Sequence, residues 1–196
     1  NWGRNSKYEY SYSFKEPLRI TYSDFDENGV LDIVEYHRDK LTGQLVPERG
    51  RSCSTRAMSF IGQRNESFNV FGERSLEEVY GECLKDGTVL EANVLEHTLF
   101  LNRGGKFEAR ALPIEAQFAP VFGLNIADFN NDGKEDVFIA QNFFASQRET
   151  PRSDGGRALL MIGDGKGGLE PIDGIESGIM VYGEQRGSAV GDFNRD

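Results

Sequence analysis

The chain is poor in soft metal ligands, with two cysteines and two histidines in 196 residues. His37 and His97 stand apart from any Cys, His or carboxylate spacing that suits zinc, and each reads as a strand residue. Cys53 and Cys83 leave two readings open. One is a single disulfide contributing about 2–4 kcal/mol; the other is a pair of free thiols. No apolar run approaches the ~20 residues needed to cross a bilayer, so direct membrane insertion is not expected. No signal-peptide pattern is visible. Basic residues are also scarce: 22 against 32 acids give a formal charge of −10 and a pI near 4.8. That balance argues against nucleic acid and against an anionic membrane surface. The chain has no Gly-x-Ser-x-Gly elbow, no phosphate loop and no catalytic Cys–His spacing, and it reads as a non-enzyme. Glu149 and Asp154, near Arg148 and Arg152, read either as a solvated charged loop or as the lining of a ligand site.

What is present is one acidic phrase written three times. Asp24-Phe25-Asp26-Glu27-Asn28-Gly29-Val30-Leu31-Asp32 is the first copy and Asp128-Phe129-Asn130-Asn131-Asp132-Gly133-Lys134-Glu135-Asp136 the second. Asp192-Phe193-Asn194-Arg195-Asp196 is the third, without the glycine and the last aspartate. Calcium takes about six to eight oxygens at roughly 2.3–2.6 Å. A loop that curls round such an ion turns the side chains at positions 1, 3 and 5 inward and makes a tight turn at a glycine in position 6. It then offers the carbonyl of position 7 and a carboxylate from position 9. The ligands are then Asp24, Asp26, Asn28, the Val30 carbonyl and Asp32 in the first loop. In the second they are Asp128, Asn130, Asp132, the Lys134 carbonyl and Asp136. The third supplies only Asp192, Asn194 and Asp196. Two complete calcium sites and one incomplete site are expected. The competing reading is an Asx-rich turn without metal; repetition at five positions weighs against it.

The first loop also fits an EF-hand, with Glu35 at position 12. Its flanks argue otherwise: Leu18-Arg19-Ile20-Thr21-Tyr22 and Ile33-Val34-Glu35-Tyr36 are short, β-branched or aromatic, and strand-like. The second loop has Ile139 at position 12 and lies between Gly123–Ala127 and Val137–Ala140, which also read as strands. A glycine hairpin follows the same spacing. Leu99–Phe107 and Leu159–Leu169 each read strand, turn, strand, about 62 residues apart, while Asp128 and Asp192 are 64 apart. Four antiparallel strands per repeat is the pattern of a propeller blade.

On these residues the chain resembles the FG-GAP/VCBS repeat, found in integrin α-subunit propellers and in bacterial surface and secreted proteins. The second unit, from Gln117-Phe118-Ala119-Pro120 through Gly163-Asp164-Gly165-Lys166-Gly167-Gly168, is most similar to the bacterial repeats that often accompany ASPIC/UnbV domains. The resemblance covers roughly residues 16–37 and 95–196. It implies an all-β partial propeller of four-stranded antiparallel blades, calcium at the loop positions named above, and an extracytoplasmic, bacterial setting. It also implies a binding or adhesion scaffold with a protein or glycan ligand on the rim opposite the calcium loops. A polysaccharide-active propeller enzyme and a purely architectural repeat are the alternatives.

The expected organisation is an outer strand within 1–15 (Tyr8–Phe14 alternate), blade 1 over 16–118, blade 2 over 119–186, and the start of a truncated blade 3 over 187–196. About two blades and part of a third fit this length, so a piece of a larger protein is expected. Blade 1 carries a helical insertion at about 38–95, with helices expected at Ser54–Arg64 and Ser75–Leu84. Ser75 with Glu78 forms a capping box, and Leu76, Val79, Tyr80 and Leu84 share one face. The insertion and its shorter counterpart, 142–156, are placed between strands two and three. Alternate loops of an up-and-down blade fall on opposite rims, so both are expected at the end opposite the acidic loops, where variable loops carry function; the competing reading is that the insertion only fills space between blades or covers a subunit interface.

Overall fold

The computed structural model describes residues 1–146 and 150–193. Among the described residues the chain is mostly β, with antiparallel sheets of four, two and four strands, and it divides into two compact units. One unit is Lys7–Val94; the other combines Asn1–Ser6 with Leu95–Asp196.

In the Lys7–Val94 unit, β1 (Leu18–Ser23) and β2 (Asp32–Arg38) form the hairpin that the first acidic loop joins. Period-2 alternation puts Val34 and Tyr36 on the buried face and leaves Ile33 exposed. Two further strands lie within the segment expected to be a helical insertion. β3 (Leu45–Pro47) extends the sheet beside β2, and β4 (Thr88–Ala92) pairs with the free edge of β1, giving the order β3-β2-β1-β4. The link from β2 to β3 is therefore a short turn, with Asp39 accepting from the Leu41 and Thr42 amides. The helices instead connect β3 to β4, which corrects their expected place between strands two and three.

Those helices are α1 (Arg51–Ala57), α2 (Ser59–Arg64), α3 (Phe68–Glu73) and α4 (Leu76–Tyr80), followed by a 3-10 turn over Gly81–Asp86. The expected helix over 54–64 is broken at Met58, whose extended backbone (φ −129°, ψ 104°) turns its side chain into the core. The segment has far more core than its charged sequence suggests. Met58, Ile61, Phe71, Leu76, Val79 and Tyr80 pack with Val34 and Tyr36 as one buried cluster. Burying such side chains contributes about 1.5–3 kcal/mol each, so the helices are integral to this unit. Thr21 donates to the Tyr36 hydroxyl at 3.0 Å and Tyr80 to Ser54 at 3.0 Å, which satisfies the buried hydroxyls.

The capping box forms as expected. The Ser75 hydroxyl oxygen accepts from the Glu78 amide, and the Glu78 carboxylate accepts from the Ser75 amide at 2.8 Å. The Ser75 amide and hydroxyl both donate to the Glu78 carboxylate and hold it below its usual range, with the amide the larger cause. Ser75→Ala should lower the stability of this unit by about 1 kcal/mol, whereas Ser75→Gly should cost only a few tenths. Urea denaturation followed by circular dichroism checks this; equal losses for the two variants would refute the capping role. Cys53 and Cys83 form no disulfide and are half-buried, and burial pushes the Cys83 thiol up.

In the second unit, β5 (Thr98–Asn102) and β6 (Phe107–Ala111) form a hairpin that stands as its own two-stranded sheet. β7 (Val121–Ala127), β8 (Asp136–Gln141), β9 (Leu159–Gly163) and β10 (Leu169–Ile172) make an up-and-down meander in the order β10-β9-β8-β7. β8 is central and buried almost throughout, so it reads as a near-continuous apolar run. Val137 and Ile139 pack with Met161 of β9 and with Ala116 as a small core. β7 is an edge, and its Leu124 and Ile126 are 56% and 57% exposed.

The outer strand expected at Tyr8–Phe14 is absent. That stretch forms turns, with the Ser11 amide donating to the Tyr8 carbonyl at 2.9 Å, and the Tyr8 hydroxyl donates to Glu35. Aromatic alternation without a partner strand does not hold an extended backbone. His37 lies in β2, but His97 precedes β5 and is buried. Its Nε2 faces the Ala119 carbonyl at 3.1 Å, and burial lowers its pKa, favouring the neutral ring. Among the described residues, no helix is long and apolar enough to cross a membrane.

Candidate metal centre

The first acidic loop closes the β1–β2 hairpin and the second closes the β7–β8 hairpin, so each lies at one end of its own sheet. Their internal hydrogen bonds correspond position by position. The position-1 carboxylate accepts from the amides of positions 5 and 6. Asp24 takes Asn28 and Gly29 at 3.0 and 2.7 Å; Asp128 takes Asp132 and Gly133 at 3.1 and 2.8 Å. The position-9 carboxylate accepts from the amide of position 2: Phe25 to Asp32 at 3.1 Å, Phe129 to Asp136 at 2.8 Å. The position-5 side chain accepts from the amide of position 7: Val30 to Asn28 at 2.8 Å, Lys134 to Asp132 at 2.9 Å.

Backbone conformation matches too. Gly29 and Gly133 have φ of 83° and 81°, the left-handed region where a side chain is strained. Glu27 and Asn131 at position 4 have φ of 57° and 60°. Sequence reasoning missed this second left-handed position, which Asn131 signals and Glu27 does not.

The two loops differ in how their carboxylates converge. Asp24, Asp26 and Asp32 each place an oxygen within 4.8 Å of the others, a group that could hold a metal ion. Asp26 Oδ1 is buried and has no hydrogen-bond partner. Asp32 is 8% exposed. Its pKa is raised by burial first, and then by the charges of Asp26 and Asp24, against the lowering effect of the Phe25 amide. A divalent cation at the centre of this triad would supply the missing partner and remove the mutual repulsion, so these residues fit a hard cation. Asn28 and the Val30 carbonyl stand in the same loop, with the Val30 side chain turned to solvent, 63% exposed.

In the second loop position 3 is Asn130 rather than an aspartate, so the same three positions bring only two carboxylates, Asp128 and Asp136. Lys134, expected to offer only its carbonyl, places its ammonium 2.9 Å from Asp132 Oδ2. That hydrogen bond lowers the Asp132 pKa and raises that of Lys134. Asn130 accepts from the Asp132 amide at 3.0 Å. Asp136 is fully buried, and its second oxygen accepts from the Gly163 amide of β9 at 2.8 Å. This cross-strand bond was not legible in the motif, because Gly163 lies 27 residues downstream. Of the third copy, Asp192 is described, while Asn194 and Asp196 lie outside the described residues.

No family model, curated protein or solved structure matches this chain.

Proposed function

We propose that the chain is a calcium-binding segment of FG-GAP/VCBS type, with blades belonging to a β-propeller that serves as a cell-surface or secreted binding scaffold. The observation that carries this reading is the convergence of Asp24, Asp26 and Asp32, with a buried, unpartnered oxygen on Asp26. The matched hydrogen bonding of the second loop supports it. So does the β7–β10 meander, which has the strand order of one blade. The exposed row of Leu124 and Ile126 on β7 is a surface that a neighbouring blade would cover. In this reading the metal is structural. It offsets repulsion among three carboxylates and holds the β1–β2 turn. The extracytoplasmic and bacterial setting rests on the sequence resemblance and on the calcium level outside cells.

Calcium at about ten times its Kd should stabilise the Lys7–Val94 unit by roughly 1.4 kcal/mol, a rise in Tm of several degrees. EGTA should reverse the rise, and magnesium should not reproduce it, because it demands a tighter octahedral shell. Asp26→Asn should abolish the calcium response while leaving the metal-free Tm near that of the parent. A Tm indifferent to calcium and EGTA would sink the metal reading.

A further inference from the structure

In the second unit, the end of the β7–β10 sheet away from its acidic loop is a built platform of arginines and aromatic rings. Two buried amides hold it together. Asn142, at φ 84°, ends β8 and donates to the Gly156 and Gly183 carbonyls at 2.8 and 3.0 Å, while its own carbonyl oxygen accepts from the Gly156 amide at 2.9 Å. Gln141 is 1% exposed; its carbonyl accepts from the Gln185 amide at 3.2 Å, and its side chain donates to the Ala116 carbonyl. Ser153 bridges to Phe143 in antiparallel fashion, and the Val181 amide donates to the Arg157 carbonyl at 2.8 Å. Segments 142–144, 152–157 and 181–186 are thereby tied to one another and to the sheet.

Each segment contributes to a guanidinium–ring pair. Arg186 lies 4.5 Å from the Phe122 ring centroid and 4.9 Å from that of Phe143. Arg157 lies 5.2 Å from Tyr182, and Arg152 lies 5.5 Å from Phe144. Arg186 also pairs with Glu184 at 2.8 Å. Among the described residues, Arg152 and Arg157 have no ion-pair partner, and both are exposed. Tyr182 is 62% exposed. A guanidinium laid against a ring keeps its planar N–H fork open at the edge, and that fork matches a carboxylate in two-point geometry.

We propose that this platform binds a carboxylate-bearing polysaccharide, a polyuronate, through Arg152, Arg157 and the Tyr182 ring. A uronate presents a carboxylate and a flat C–H face on the same rigid ring, so one residue engages a guanidinium edge and an aromatic face together. An acidic peptide carries its carboxylates on flexible stems and has no such face. The overall charge of −10 does not oppose this, because fields are screened within about 8 Å at physiological salt and the local groups decide. The proposal refines the expectation of a ligand at the end opposite the acidic loop and does not depend on calcium.

The test is affinity electrophoresis and calorimetry of the whole chain with polygalacturonate, in EGTA so that calcium cannot crosslink the polymer. Polygalacturonate should bind, neutral dextran should not, and poly-L-glutamate should bind at least tenfold more weakly. Arg157→Ala and Tyr182→Ala should each weaken binding about tenfold with Tm unchanged, since both side chains are exposed. Arg157→Lys should not restore it, because an ammonium lacks the planar fork. No binding of polygalacturonate, equal binding of poly-L-glutamate, or unchanged binding by Arg157→Ala would each overturn the proposal. Binding that persists while calcium fails to move the Tm would instead count against the metal reading alone.

Discussion

Gly163→Ala should lower the Tm of the unit built on β7–β10 by about 10 °C or more. Gly163 ends β9 where it runs beside the exit of the second acidic loop. A Cβ placed there would lie 2.0 Å from the Glu135 carbonyl oxygen and 3.1 Å from its carbon, and both are backbone atoms that no rotamer change can move. Relief requires β9 to shift away from β8 by about 1 Å, which would break the Gly163 amide bond to Asp136, 2.8 Å long. Overpacking typically costs about 1–3 kcal/mol, and an orphaned buried donor adds about 1–3 more. A combined loss of about 3 kcal/mol corresponds to the stated shift for a unit of roughly 100 residues. Gly187→Ala is the matched control. A Cβ there meets nothing within 4 Å and its φ is unremarkable, so its stability should change by less than about 0.5 kcal/mol. Thermal denaturation of the two variants separates a steric cause from a general intolerance of substitution. A Gly163→Ala protein melting within two degrees of the parent would refute the close approach of the strands.

Asp136→Ala should cost about 3 kcal/mol whether or not calcium is present. Asp136 is fully buried and holds the Phe129 and Gly163 amides, each at 2.8 Å. Hydrogen bonds to a charged acceptor contribute about 1.5–3 kcal/mol apiece, and alanine leaves the buried Gly163 amide and the half-buried Phe129 amide without these partners. Asp136→Asn keeps one acceptor oxygen but turns an amide group toward the other N–H, so about half the loss is expected. The contrast with Asp26 is the informative part. Asp26 Oδ1 has no partner, so Asp26→Ala in EGTA should leave stability unchanged or slightly raised, while removing the response to calcium. Urea melts of the four proteins, with and without calcium, measure this. Equal losses at Asp136 and Asp26 in EGTA would show that the two loops do not divide structural and ligand-holding roles in this way.

Much of the local structure was legible because it depends on short-range rules. The flanks of both acidic loops are β-branched or aromatic, and β1, β2, β7 and β8 form where those flanks lie. The glycine hairpins and the Ser75 capping box are also local devices, and all formed. What was not legible depended on partners distant in sequence. β3 has three residues, and β4 lies within the segment that reads as a helical insertion; each is a strand paired to an edge of the β1–β2 hairpin. Tyr8–Phe14 had the alternation without an edge, and it turned instead. The helices were visible as helices, but their role as the core of the Lys7–Val94 unit was not. Their apolar faces pack on Val34 and Tyr36 of β2, residues distant from the helices in sequence.

The same division runs through the acidic loops. Their residue order alone determines the turn, since Asp at position 1, Gly at position 6 and Asp at position 9 each bond to or bend backbone within nine residues. The sequence already distinguishes the two complete copies at position 3, Asp26 against Asn130, and at position 7, Val30 against Lys134. The tertiary structure adds what lies beyond the loops, gathering Asp24, Asp26 and Asp32 into one group and binding Asp136 into the β8–β9 junction. The physical reason is that a carboxylate acts according to which donors reach it. Donors inside the loop are written beside it in the chain, whereas the Gly163 amide arrives from a neighbouring strand only once the sheet has assembled.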